Sequence, residues 1–487
     1  MRFSELDGAA VGVWGAGREI RSFADQLARR LPNARIVAAA FDEPPAQEDV
    51  RAALRAPRAR VVSVAGDGRD AVLAALTACD VLVRSPGVSV HRPELRALRE
   101  AGTPVRTPTS LWLAERGGEG VLGVTGTKGK STTAALAQHL ARAAGRTAAL
   151  AGNIGVPALD LLDGERPQVT VLELSSYHIA DLDTGPQVAL VTNLFREHTD
   201  WHGSERAYRA DKLRLLGLPG VRSAVINARD PGLAAAADRD IAARHDPAAR
   251  RERRRRAAGA ACEDRLDVTV EPVLYGVREG WDVGEGGGVA RGGEQVASAA
   301  DLPLRGEHNA LNLCGALTAL EALGVRPKLP EALHGFQPLA HRLQPVSERD
   351  GLLWVNDSIS TTPESTLAAL LSFPGREVVL IAGGQDRGQD YGALGRALAR
   401  ADATLIGVPS TGARLVAAAR DAGVARSRAT AAADLAQAVQ LAHALAPAGA
   451  VVLLSPAAPS FDNYRDFEER GERFRALAEA CEAGSPE

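Results

Sequence analysis

Short apolar runs alternate along most of this chain with longer stretches whose apolar positions recur every three or four residues. The first run, residues 10–14 (AVGVW), leads through Gly15-Ala16-Gly17 into residues 20–31, where apolar residues fall at helical spacing. A second run at 35–41 ends at Asp42, and runs at 61–65 and 81–84 flank a helical stretch at 70–78. Strands that alternate with helices predict parallel pairing in a doubly wound sheet. The glycine- and glutamate-rich residues 115–120 mark a boundary. A second unit then opens with a strand at 121–124, a glycine-rich turn and a helix at 131–144, with further strands at 170–174 and 188–192. A third unit starts near residues 324–327 and carries strands at 352–356, 378–382, 403–407 and 450–454, separated by Ala- and Leu-rich helices. Two stretches predict no regular element. Residues 250–256 place six arginines around Glu252 and read as a solvated loop, and residues 279–294 (EGWDVGEGGGVARGGE) read as a second loop too rich in glycine for a strand or helix.

Composition narrows the class. A length of 487 residues fits about three domains. The formal net charge of −3 provides no global basic field, so nucleic acid is not an expected partner. The four cysteines, Cys79, Cys262, Cys314 and Cys481, show no C-x-x-C spacing. That argues against a disulfide framework or zinc site and suits a reducing cytoplasm. No leader with a basic start and an apolar core is visible, and no window approaches the ~18–20 apolar residues of a membrane span. The expectation is a cytoplasmic protein, without a membrane or nucleic-acid partner and monomeric.

The strongest chemical signal is GVTGTKGKSTT at residues 123–133. A strand that runs through glycines into a helix aims backbone N–H groups and a helix N-terminus at phosphate. Gly123, Thr125, Gly126, Thr127, Lys128, Gly129, Lys130, Ser131 and Thr132 are therefore candidate ATP contacts. Lys130 supplies a charge for the outer phosphates, and the Ser131 hydroxyl can meet Mg²⁺. The strict G-x-x-x-x-G-K-[ST] spacing is not met, because Val124 stands where its first glycine belongs. Glu173 ends an apolar strand, where a carboxylate can hold a hard cation. Asn309 and Asn312 lie one helical turn apart and share a face. Gly15, Ala16 and Gly17 form a tight turn at a helix start suited to a pyrophosphate, although G-x-G alone is weak and the third fingerprint glycine is missing.

These residues, with GNIG (152–155), LELSSYH (172–178), TNLFREHTDWHGS (192–204), DKLR (211–214), GEHNALN (306–312), AHRLQ (340–344), NDSISTT (356–362) and LLSPAAPSFDNYRDFEERG (453–471), resemble the Mur ligases. That family adds amino acids to UDP-linked muramoyl precursors. The last block, with SPGVSVHRPEL (85–95), looks most like its glutamate-adding branch. The resemblance runs from about residue 12 to residue 476, nearly the whole chain. It implies three domains: Rossmann-like at 1–117, P-loop ATPase-like with a mostly parallel sheet at 118–323, and Rossmann-like at 324–487. It implies ATP and Mg²⁺ as cofactors, and a carboxylate activated as an acyl phosphate before an amine attacks it. By resemblance, Glu173 and His198 join Ser131 as Mg²⁺ ligands, whereas His202 reads as an ordinary packed or surface histidine. Lys212, which alone would read as a solvated helix lysine, is implied to carry a carbamate. Asn309, Asn312, Arg342 and Asp357 correspond to nucleotide contacts. Gly15–Gly17, Asp42, Ser85, Pro86, Gly87 and Asn153 correspond to the UDP-sugar site.

The amino acid pocket departs from the family pattern. D-glutamate ligases typically read N-D-S-K-A-T-N where this chain has Asn356-Asp357-Ser358-Ile359-Ser360-Thr361-Thr362, so Ile359 replaces a lysine. Thr361, Arg387, Ser460 and Phe467 match the remaining glutamate contacts. Exchanging a charged residue for an apolar one changes how two carboxylates are held, and so which isomer fits. The segment resembles a variant subgroup that adds L-glutamate to UDP-N-acetylmuramoyl-L-alanine, whose product a separate epimerase then inverts. The D-glutamate ligase is the alternative reading. A folylpolyglutamate synthetase shares the phosphate loop but lacks a nucleotide-sugar domain ahead of it, and about 120 residues precede the loop here.

Overall fold

The computed structural model describes residues 1–195, 199–202, 204–234, 270–302, 304, 306–337, 340–373, 375–386, 389–401 and 403–481. The expected arginine-rich loop at 250–256, His198 and Arg387 lie outside the described residues. Its contacts divide the chain into two units, Met1–Gln337 and Pro338–Glu487. The expected boundary after residue 323 therefore falls later. Residues beyond 323 stay with the first unit because they pack there: the Ala332 carbonyl lies 3.0 Å from His139 Nε2, and Phe336 meets the His139 ring edge-on at 5.4 Å.

The first unit carries two large sheets. Strands β1 (Ala10–Trp14), β2 (Arg35–Phe41), β3 (Arg60–Ser63), β4 (Val81–Arg84) and β5 (Val105–Arg106) form one, in the order β3-β2-β1-β4-β5. All its pairs are parallel. Ile20, Phe23 and Leu27 of helix Arg18–Arg30 are buried against it, which is the 3.6-residue spacing read from sequence. The expected strand at 61–65 is shorter. Ser63 accepts a hydrogen bond from the Gly66 N–H and caps a helical turn, Val64–Asp67. A serine able to satisfy a free N–H outweighs the β-preference of valine there.

The second sheet is also parallel. It comprises β6 (Val121–Thr125), β7 (Ala148–Gly152), β8 (Val169–Glu173), β9 (Val188–Val191), β10 (Ser223–Asn227) and β11 (Pro272–Tyr275), ordered β11-β10-β9-β6-β8-β7. Strands β6, β8 and β9 are buried on both faces, which is why they read as unbroken apolar runs. The expected loop at 279–294 is instead a small antiparallel sheet of β12 (Trp281–Val283), β13 (Val289–Arg291) and β14 (Glu294–Ala297). The glycines sit in its turns. Gly292 and Gly293 join β13 to β14 with φ of 61° and 84°, a two-residue hairpin that needs positive φ twice. Glycine count misled because it marked connections rather than disorder.

The second unit holds β15 (Gln344–Arg349), β16 (Leu352–Asn356), β17 (Val378–Ala382), β18 (Thr404–Gly407), β19 (Ala429–Ala431) and β20 (Val451–Leu454), ordered β15-β16-β20-β17-β18-β19. Only β15 runs antiparallel, and helices cover both faces. Among the described residues no helix is long and apolar enough to cross a membrane.

Candidate active site

In open α/β sheets, ligands bind beyond the carboxyl ends of strands where the strand order reverses. In the first sheet that point lies between β1 and β4, and the segments leaving them are Gly15–Gly17 and Ser85–Gly87. They meet: Gly15 has φ +90°, and a Cβ on it would lie 3.1 Å from Ser85 Cβ. A cavity of about 210 Å³ opens here, lined by Ser85, Pro86, Gly87 and Asn153, all expected sugar-nucleotide contacts. Asp42 does not line it. Its carboxylate pairs with the Arg92 guanidinium at 2.6 Å, and Arg92 stacks over the Trp14 ring at 4.8 Å.

The same cavity is lined by Arg18, Glu19, Ser175, Tyr177 and His178, to which the sequence reading gave no role. Arg18 donates to the carbonyls of Gly152 at 2.8 Å and Gly155 at 2.9 Å, tying the first helix to the GNIG turn. The His178 ring is held at both nitrogens: Nδ1 lies 2.6 Å from Ser175 Oγ, and Nε2 lies 2.6 Å from Glu19 Oε1. Thr109 Oγ1 donates to the other Glu19 oxygen at 3.2 Å. The signal was present, because Ser175 and His178 belong to LELSSYH. Only the fold could supply Glu19, 159 residues away in sequence. Arg84 is fully buried beneath this region. It pairs with Asp181 and donates to the carbonyls of Pro86 at 3.0 Å and Val88 at 2.8 Å, which shapes the 85–88 turn.

Burial alone pushes the Glu19 carboxyl up, but the charge and hydrogen bond of His178, with Thr109 and Arg18, hold it below its ordinary value of 4.5. A lowered carboxyl contributes stability that is present above the ordinary value and is lost as pH falls through the folded one. Glu19→Gln is therefore expected to flatten the acid limb of thermal stability below about pH 4.5 relative to the parent. Superimposable acid limbs would show that the buried pair carries no linkage.

The phosphate loop leaves β6 at the middle of the second sheet. Gly126 has φ +141°, and a Cβ there would overlap Thr192 Oγ1. Gly129 has φ +81°, and a Cβ there would overlap Asn312 Oδ1. The second observation places Asn312, an expected nucleotide contact, directly against the loop. Its Nδ2 lies 3.4 Å from Asn309 Oδ1, so the two asparagines share a face as the spacing indicated. The residues after β9 hold the loop from outside. Asn193 Oδ1 accepts from the Lys128 N–H at 2.7 Å, and Thr192 Oγ1 donates to the Lys128 carbonyl at 2.6 Å. Lys130 Nζ reaches back to the Thr127 carbonyl at 2.9 Å, and Ser131 is buried in the first turn of helix Lys130–Ala143. Gly123 sits within β6 rather than in the loop. A Cβ there would meet Pro186 at 2.8 Å, so it packs.

Glu173 pairs in register with Val124 across β8 and β6, which sets its carboxylate beside the loop. It is 1% exposed. Its Oε1 accepts from Asn153 Nδ2 at 2.9 Å, while Oε2 has no hydrogen-bond partner among the described residues. A buried carboxylate oxygen without a donor is unfavourable unless a cation satisfies it. Glu173 with the Ser131 hydroxyl is an all-oxygen donor set that fits Mg²⁺. Lys212 is not the solvated lysine its sequence would suggest. It is 2% exposed, donates to the Gly126 carbonyl at 2.7 Å and lies 5.0 Å from the Tyr208 ring centroid.

In the second unit, Asp357 follows β16 and is buried. Its oxygens accept from Ser455 Oγ at 2.7 Å and from the Leu343 N–H at 3.1 Å, and burial pushes its carboxyl up against those hydrogen bonds. Arg342 lies near enough to oppose that rise. Arg470, unassigned from sequence, is buried and binds Ser358 Oγ at 3.0 Å, the Ser358 carbonyl at 2.9 Å and the Ala458 carbonyl at 3.1 Å. Ser358 Oγ in turn donates to the Phe467 carbonyl at 2.8 Å. This web fixes the backbone just before Ile359, and it places Phe467 at the start of helix Phe467–Ala480 beside that segment. Ser460 is buried and Thr361 is partly exposed.

Two family descriptions match the chain: the Mur ligase middle domain over residues 124–264, and the Mur ligase glutamate ligase domain over residues 341–458. A relative from Micromonospora sp. is 41% identical over 501 residues and covers 100% of both chains; it bears the name UDP-N-acetylmuramoyl-L-alanine–L-glutamate ligase. The chain belongs to the Mur ligase family. Relatives of the same name from Salinispora tropica (41% identical, 97% of this chain and 98% of that one) and Xylella fastidiosa (40% identical, 98% and 97%) agree. Among solved structures, the UDP-N-acetylmuramate-alanine ligase of Thermotoga maritima shares the fold at a TM-score of 0.53 and 17% identity, covering 97% of this chain and 99% of that one. The MurF ligase of the same organism, solved with ADP, shares it at a TM-score of 0.51 and 17% identity, covering 98% and 96%. As a Mur ligase the chain is an ATP-dependent enzyme that joins a carboxylate to an amine, and its work is peptidoglycan synthesis.

Proposed function

We propose that this Mur ligase adds glutamate, the L-isomer in preference to the D-isomer, to UDP-N-acetylmuramoyl-L-alanine through an acyl phosphate. The observation that carries the reading is the full-length likeness to L-glutamate ligases together with Ile359, where the D-glutamate pattern has lysine. The sugar nucleotide occupies the cavity beside Ser85–Gly87 and Asn153, with its carboxylate toward the phosphate loop. Lys128, Lys130 and the loop N–H groups hold the triphosphate and offset the charge that builds as carboxylate approaches γ-phosphate. Ser131 and Glu173 hold Mg²⁺, which when bound neutralises phosphate charge. Asn309, Asn312, Arg342 and Asp357 contribute nucleotide contacts. Thr361, Ser460 and Phe467 contact glutamate. The amine then attacks the acyl carbon, and phosphate leaves as the amide forms.

Apolar Ile359 removes one cationic anchor for a glutamate carboxylate, which changes the placement of the two carboxyl groups relative to the amine. A product of L-configuration calls for an epimerising reaction downstream. The test is phosphate release with each isomer in parallel. Release is expected only when UDP-N-acetylmuramoyl-L-alanine and L-glutamate are both present, and strong preference for D-glutamate would remove the role given to Ile359.

Lys212 is proposed to carry a carbamate, which turns a cation into an anion beside the loop. Lys212→Ala is expected to lose activity that short carboxylic acids partly restore. Full activity without rescue would rule the modification out.

A further inference from the structure

Two histidines and an aspartate converge outside the phosphate-loop site. His91 follows β4, His202 ends the short helix Thr199–His202, and Asp211 lies on helix Glu205–Leu213. The donor atoms of all three fall within 4.8 Å of one another. His202 Nδ1 is 2.6 Å from Asp211 Oδ2, and His91 Nε2 is 3.5 Å from that same oxygen. We propose that these three side chains bind a transition-metal dication of the Zn²⁺ class, at a site separate from that of Mg²⁺.

The donor set decides the class of ion. Two imidazole nitrogens and one carboxylate oxygen suit borderline cations such as Zn²⁺ or Co²⁺, whereas Mg²⁺ prefers all-oxygen, octahedral surroundings. Zn²⁺ with bonds of about 2.0–2.1 Å needs donor atoms about 3.3 Å apart. The measured separations bracket that value. The short His202–Asp211 edge must open by several tenths of an ångström, and half-exposed His91 can close in by rotating. The ring that must not rotate is already fixed. His202 has a fully buried side chain, and its Nε2 lies 2.9 Å from Ser176 Oγ, which leaves Nδ1 facing Asp211. A hydrogen bond on the far nitrogen is the usual support of a metal-bound histidine. Trp201, in edge contact with His91 at 5.8 Å and 4.4 Å from His202, walls the site on one side. His91 and Asp211 open on the other side onto a cavity of about 730 Å³, which gives an ion its entry and leaves a fourth position for water.

The site would join segments that matter to the ligase. His91 lies four residues past Gly87, which lines the sugar-nucleotide cavity, and Asp211 precedes Lys212. The two segments already touch here: Trp201 Nε1 donates to the Gly87 carbonyl at 3.0 Å, and Ser89 Oγ donates to the Trp201 carbonyl at 2.8 Å. A cation across His91 and Asp211 would hold the 85–91 segment against the helix that carries Lys212.

The experiment is Zn²⁺ titration of the whole chain against a chromophoric chelator, with Mg²⁺ in large excess. Co²⁺ absorption reports the coordination geometry. The expected result is saturable binding of a single Zn²⁺ and a tetrahedral Co²⁺ spectrum. His91→Ala and Asp211→Asn should each weaken it by more than tenfold, and Ser176→Ala by about 10–100-fold through the outer hydrogen bond. Because His91 is exposed, its variant tests the site without disturbing the core. Glu173→Gln should leave Zn²⁺ affinity within twofold of the parent. Absence of saturable binding, or affinity indifferent to His91→Ala and Asp211→Asn, would overturn the proposal. Loss in Glu173→Gln alone would do the same, by assigning the ion to the phosphate loop.

Discussion

Glu173→Gln is expected to lower kcat by about 10²–10³-fold, the scale of removing one electrostatic stabiliser from a reacting centre. The nucleotide-free variant should be at least as stable as the parent. The two effects have opposite signs because they have one cause. Glu173 is buried, and its Oε2 has no partner among the described residues. Leaving a charged acceptor in that state is unfavourable by about 1–3 kcal/mol or more. A neutral amide of the same shape removes the charge along with the cation ligand. Added Mg²⁺ and nucleotide should raise the parent's thermal midpoint, by the equivalent of about 2.7 kcal/mol at a hundredfold excess over Kd, and should raise the variant's much less. Thermal scans beside turnover assays separate the outcomes. A variant that loses stability and activity together would make Glu173 a structural residue.

Gly126→Ala is the second large effect, and it acts on shape. The position combines φ +141° with a Cβ direction that overlaps Thr192 Oγ1. Backbone strain of this kind is worth about 1–3 kcal/mol. Thr192 has no easy way to move, because its hydroxyl donates to the Lys128 carbonyl inside the loop. Relief must therefore come from the loop itself, and its N–H groups would turn away from phosphate. ATP affinity should fall by well over tenfold, on the order of 1.4 kcal/mol per decade. Gly117→Ala is the matched control. It also has positive φ, +72°, yet nothing lies within 4 Å of an added Cβ. It should show a modest loss of stability from strain and unchanged nucleotide affinity. Equal losses in both variants would mean that the Thr192 contact is irrelevant.

What the sequence carried was local or periodic. The parallel strands were legible because burial on both faces leaves an unbroken apolar run, as in β8 and β9. The phosphate loop was legible because its glycines, lysine and serine are contiguous. What it hid depends on distant partners or on turn geometry. Glu19 meets His178 across 159 positions, and Arg84 meets Asp181 across 97. His202 read as an ordinary histidine because its neighbours, Asp211 and His91, come from another helix and from the turn after β4. The antiparallel β12–β14 sheet was hidden by its own turn glycines, and the edge strand β15 by the proline and charges of QPVSER. Lys212 looked exposed because a lysine on a polar helix usually is; only the fold shows the Gly126 carbonyl and the Tyr208 ring around it.

The most direct test of acyl-phosphate ligation follows one oxygen atom. UDP-N-acetylmuramoyl-L-alanine labelled with ¹⁸O in its alanyl carboxylate is turned over with ATP, Mg²⁺ and L-glutamate, and the released phosphate is weighed by mass spectrometry. The carboxylate oxygen that attacks γ-phosphorus leaves with it when the amine displaces phosphate, so one label per turnover should appear in phosphate and one in the new amide. Unlabelled phosphate alongside product formation would contradict the mechanism at its first step.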